Sequence, residues 1–139
     1  MHRAELLGLV LVCLVGCNVS YPSVDQTGEP VIRPENGHVL RPAPAGGRAV
    51  VYVDVVNRGG AADTLLGVLS DVAGRAELRD GSGRLGKVYI PPASTVALAS
   101  EGRHIELLDL KQPLQTGDVI IVTLLFEKSG AIGAITAVR

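Results

Sequence analysis

Two residues in this chain have types and spacing that could do chemistry: His104 and Glu106, in the run Gly102-Arg-His-Ile-Glu-Leu-Leu-Asp-Leu110. Side chains alternate across a strand, so a strand over 104–110 puts His104, Glu106 and Leu108 on one face and Ile105 and Leu107 on the other. Imidazole and carboxylate together suit a borderline or hard cation such as Cu(II) or Zn(II). Two ligands make only a weak site. His38 is a third candidate, but nothing in the sequence brings it close. The competing reading is that His104 and Glu106 are solvated residues on the rim of a sheet.

The Cys17 thiol is the other reactive group. An apolar run over 6–15 follows His2 and Arg3 and ends in Leu14-Val-Gly-Cys17. The run is too short to span a bilayer with ease. Its end resembles a bacterial lipobox, in which cleavage before the cysteine frees the sulfur to carry a diacylglycerol. We therefore expect a lipoprotein signal peptide over 1–16, a flexible tether over 17–29 and a domain over 30–139. Multiple acyl chains anchor stably where one does not. Cys13 leaves with the signal and Met1 is the single methionine, so the mature domain has neither a free thiol nor a thioether. Asn18 after Cys17 favours the outer membrane in a two-membrane cell. In a one-membrane cell the protein sits on the outer face of the cytoplasmic membrane.

Composition excludes several roles. The chain has 13 basic and 14 acidic residues, so it offers no field for nucleic acid. Aromatics make up 3%, too few for stacking platforms. There is no Gly-rich phosphate loop before a helix and no Gly-x-Ser-x-Gly elbow. Asp54, Asp63, Asp80, Asp109 and Asp118 fall at strand ends, turns or an outward face, where carboxylates are usually solvated. We expect no enzyme.

The elements that must position His104 and Glu106 are strands. Val51, Val53 and Val55 form the inner face of a strand over 49–57. Ile120, Val122, Leu124 and Phe126 do the same for a strand over 118–126. Further strands are expected over 63–70, 75–80, 87–90, 95–99 and 131–138. Asn57-Arg-Gly-Gly60 and Asp80-Gly-Ser-Gly83 read as turns, and Ala73-Gly74 as a loop. The region 30–41 is a weak strand broken by Pro34 and Asn36-Gly37. The last strand reads as an edge, because its pattern weakens at Gly133. Short strands with Gly and Pro turns, and no helical period after the signal, indicate an all-β sandwich.

Five landmarks occur in order: Arg41-Pro-Ala-Pro-Ala-Gly-Gly-Arg-Ala49, Asn57-Arg-Gly-Gly60, Asp71-Val-Ala-Gly-Arg-Ala-Glu-Leu78, Leu110-Lys-Gln-Pro-Leu114 and Thr123-Leu-Leu-Phe-Glu-Lys128. Together they resemble the periplasmic copper chaperone A family, PCu(A)C, over 32–138. The resemblance implies a cupredoxin-like Greek-key β-sandwich that binds copper outside the cytoplasm. It implies delivery to the copper centre of cytochrome oxidase or to another copper-handling envelope protein. The family's site uses two His and two Met. Here Arg79 stands at the position of one His, and the loop over 80–87 is short and holds no Met. The His-x-Met pair becomes His104-Ile-Glu106, and Val39 lies near the place of the family's Trp. The expected copper site is therefore degenerate. Cu(I) is soft and wants thioether, thiolate or imidazole, so tight Cu(I) binding is not expected. Weak Cu(II) binding through His104 and Glu106 is. The functional expectation is a membrane-anchored copper-chaperone-like lipoprotein with weak or altered metal binding. The alternative is a metal-free interaction or scaffolding module of the cell envelope.

Overall fold

A computed structural model describes residues 28–99 and 102–139. Cys17, the signal segment and most of the expected tether lie outside the described residues. Ten strands follow in order: β1 (Ile32–Val39), β2 (Ala49–Asn57), β3 (Asp63–Ser70), β4 (Ala73–Asp80), β5 (Gly83–Arg84), β6 (Val88–Ile90), β7 (Ser94–Leu98), β8 (Arg103–Leu110), β9 (Val119–Phe126) and β10 (Gly130–Val138). They form one sheet in the order β5-β4-β8-β2-β1-β10-β9-β3-β6, with β7 pairing to β2. β3 and β4 pack against each other although they stand near opposite ends of that order. The sheet is therefore curled on itself, a cupredoxin-like Greek-key sandwich with β4, β8 and β2 on one side and β10, β9 and β3 on the other.

Alternation builds the core. Val51, Val53 and Val55 of β2, Ile105 and Leu107 of β8, and Ile120, Val122, Leu124 and Phe126 of β9 are all buried inward. Each fully buried aliphatic side chain of this size contributes about 1.5–3 kcal/mol relative to exposure. These faces also set the register, because a one-residue slip would turn every one of them to solvent.

Several expectations need correction. β1 runs unbroken through Pro34. A register shift between Glu35 and His38 takes up the Asn36-Gly37 step, with Asn36 at φ 59°. β10 pairs β1 only at Gly37–Val39, so Pro34 sits where the strand is paired on one side, a place that tolerates a missing donor. β4 starts at Ala73, so Ala73-Gly74 is strand and not loop. β10 is not an edge. It lies between β1 and β9, parallel to the first and antiparallel to the second. A Cβ at Gly133 would stand 3.2 Å from Ile121 Cγ2, so the glycine makes room for the neighbouring strand.

Asp63 is also corrected. It is buried and accepts from the backbone N–H groups of Thr64, Lys128 and Ser129 at 2.7–2.9 Å and from the Ser129 hydroxyl at 2.6 Å. It staples the start of β3 to the β9–β10 turn. Burial pushes its carboxyl pKa up, but these hydrogen bonds, the Ser129 hydroxyl foremost, outweigh burial and hold it below the usual 3.8.

Asn57 closes the other loop at this end of the molecule. Its Oδ1 accepts from Val31 and Gly59, and its Nδ2 donates to the carbonyls of Ala61 and Pro91. Gly59 fits beneath the chain only because it lacks a side chain, since a Cβ there would overlap the Glu29 carbonyl oxygen.

Candidate metal centre

β4 and β8 pair antiparallel, with Arg79 opposite His104 and Glu77 opposite Glu106. Ile105 and Leu107 face the core, so His104 and Glu106 face the outer side, in one patch with Glu77 and Arg79. They are not solvated rim residues: each is only 7% exposed. Arginines from the neighbouring strands and loops lie over them.

The geometry is a closed network. His104 Nε2 lies 3.2 Å from Glu106 Oε2, and its Nδ1 lies 3.0 Å from the Gly102 carbonyl oxygen. Both ring nitrogens therefore face oxygen acceptors, and only the doubly protonated ring could donate to both. Arg48 Nη1 donates to Glu106 Oε1 at 3.3 Å. Arg79 Nη1 donates to Glu77 Oε1 at 3.2 Å and Nη2 to the Ser82 carbonyl at 2.6 Å, while Nε stands 3.8 Å from Glu106 Oε2. Arg84 and Arg75 hold Glu77 Oε2 at 3.3 and 3.6 Å, and Arg75 also reaches Asp109. Like charges directly opposite on a ladder are destabilising. Glu77 and Glu106 occupy that arrangement, and the arginines neutralise it.

His38 does not join them. It lies on β1, two strands from β8, with its ring against Tyr52 at 5.5 Å between centroids and its Nδ1 on the Asn36 carbonyl. Among the described residues no three His, Cys, Asp or Glu side chains are gathered for a metal. The donors present, one engaged imidazole and two arginine-paired carboxylates, do not fit Cu(I). Glu77, Arg48, Arg75 and Arg84 were not singled out by sequence. Alternation over 75–80 places Arg75, Glu77 and Arg79 on one face, but which strand they would meet was not visible. Arg48 follows the Gly46-Gly47 turn and carries no periodic signal.

The curled sandwich is that of a PCuAC-like domain. The solved copper-bound PCuAC domain from PmoF2 is 30% identical at a TM-score of 0.68, covering 80% of this chain and 97% of that one. The apo PCuAC domain from PmoF1 is 27% identical at a TM-score of 0.70, covering 80% and 98%. A Cu(I) form of DR1885 from Deinococcus radiodurans shares the fold at 22% identity and a TM-score of 0.63, covering 85% and 86%. The family described as "Putative lipoprotein LpqE-like" matches residues 32–138. The "Putative lipoprotein Lxx21020" of Leifsonia xyli subsp. xyli is 31% identical over an alignment of 134 residues that covers 89% of this chain and 81% of that protein. This chain belongs to the LpqE-like lipoprotein family.

Proposed function

We propose that this protein is a membrane-anchored, extracytoplasmic copper-chaperone-like lipoprotein with an altered metal site. Copper is cargo in this reading, not a resident cofactor. The observation that carries it is His104, set in a polar patch on a scaffold 30% identical to a copper-bound PCuAC domain, with a carboxylate and an arginine as its neighbours. Cys17 would carry the lipid and hold the domain at the membrane. The recipient would be the oxidase copper centre or another copper-handling envelope protein. The role is binding and transfer, not catalysis.

His104 and Glu106 would be the metal ligands, and Cu(II) the ion they hold. Binding requires a free imidazole nitrogen, so it competes with the Glu106 and Gly102 contacts and weakens as the ring protonates. The test is titration of the full-length protein in detergent. Cu(I) should pass to a strong Cu(I) chelator, and weak Cu(II) binding should disappear in His104→Ala. Stoichiometric Cu(I) retained against the chelator overturns the altered-site reading.

One observation favours a second reading. The patch is filled by its own ion pairs, which suits a metal-free interaction module of the envelope. Failure of either copper oxidation state to bind in the same titration selects it.

A further inference from the structure

We propose that Arg79 is the resident cation of this patch: its guanidinium pairs with Glu77 and Glu106 beside His104 and supplies the positive charge that a divalent ion would otherwise bring. The inference deepens the altered-site reading and rests on its placement of the patch.

Arg79 differs from the other arginines here. Its side chain is 25% exposed, against 65%, 61% and 74% for Arg48, Arg75 and Arg84. Its Nε is buried and has no hydrogen-bond partner, 3.8 Å from Glu106 Oε2. A buried N–H without a partner is rare and calls for a reason. The contacts to Glu77 and the Ser82 carbonyl fix where the guanidinium lies, and toward Glu106 it supplies charge without a hydrogen bond.

The carboxylate oxygens divide cleanly. Glu106 Oε1 faces Arg48 and Glu77 Oε2 faces Arg84 and Arg75, all from the exposed side. Glu106 Oε2 and Glu77 Oε1 face Arg79. His104 Nε2 points at the same Glu106 Oε2. Shortening Arg79 therefore leaves Glu77 Oε1 and Glu106 Oε2 without their shared cation, beside His104 Nε2, while the outer arginines still hold the glutamates. Two negative charges and an oxygen/nitrogen donor set suit Zn(II) or Cu(II). In this view Arg79 decides that the wild-type patch holds such ions only weakly.

Zn(II) titration of the full-length protein in detergent tests this in the wild type, Arg79→Met, Arg79→Lys and the double variant Arg79→Met/His104→Ala. Arg79→Met should bind Zn(II) at least about tenfold more tightly than the wild type. Arg79→Lys keeps a cation in place and should stay at the wild-type level, and the double variant should lose the gain. Equal affinity in the wild type and Arg79→Met overturns the proposal, as does a gain that survives His104→Ala. If Arg79→Met does not fold by circular dichroism, Arg79→Gln makes the same comparison. The readout is independent of Cu(I), so tight Cu(I) capture by the wild type would sink the proposed function without deciding this result.

Discussion

The two outer faces of the sandwich invert what residue type would suggest. On β4 and β8 the outward positions include Arg75, Glu77, Arg79, His104 and Glu106, and the two acids and the histidine are nearly buried. On β9 and β10 the outward positions are Val119, Ile121, Thr123, Leu125, Ala131, Gly133, Ile135 and Ala137, without a charge among them. There Val119, Ile121 and Ile135 are 63%, 50% and 70% exposed. The difference comes from side-chain length. Arginine carries a long apolar stem that can lie across its neighbours while the head pairs with acid. Alanine and glycine on β10 cover nothing. Burial on a sheet face thus depends on the neighbours' reach as much as on a residue's own polarity.

The comparison breaks most severely where both faces share support. Leu124 is fully buried between the layers, and Leu124→Ala should cost about 2–5 kcal/mol through lost burial and a residual cavity. Urea unfolding measures it, and an unchanged midpoint would mean that the faces do not rest on a common core. Asp63, below the end of the apolar face, comes next. Its carboxyl pKa is lower folded than unfolded, so its contribution is fully present above the usual value of 3.8 and is lost as the pH falls through the lowered folded value. Asp63→Asn should cost about 1–3 kcal/mol at neutral pH and flatten the loss of stability at the acid end. An acid limb identical to that of the wild type would show that the staple does not titrate with folding. One variant on each face sharpens the contrast directly. Glu106→Gln should cost about 1–3 kcal/mol, because it leaves Arg48, Arg79 and His104 facing a neutral amide. Ile121→Ser, on the exposed apolar face, should have the smallest effect, no more than about 0.5 kcal/mol. Equal costs in parallel urea titrations would erase the distinction between the faces.

Much of the fold was legible because period-two alternation is local. β2, β8 and β9 announce their inner faces through Val51, Val53 and Val55, through Ile105 and Leu107, and through Ile120 to Phe126. Gly133 misled because a glycine that yields space to Ile121 and a glycine that weakens an edge look the same in one dimension. The site was half legible for a related reason. His104 and Glu106 declare themselves two residues apart. Their approach to Glu77 and Arg79 depends on β4 pairing with β8 across the intervening β5, β6 and β7. Asp63 was read as a solvated turn carboxylate because its donors come from the β9–β10 turn, 65 and 66 positions later.

The clamp at Asn57 bears on how the domain carries mechanical load. Under the proposed anchoring, a pull between membrane and protein enters through the chain ahead of β1. It first meets Asn57 holding Val31, and Gly59 seated under Glu29. β1 itself pairs β2 from Ile32 onward and gains β10 on its other side from Gly37 to Val39. Tension along it falls across ladder bonds that lie transverse to the strand and must yield together in shear, not open one by one like a zipper. The attachment point is therefore a rigid one.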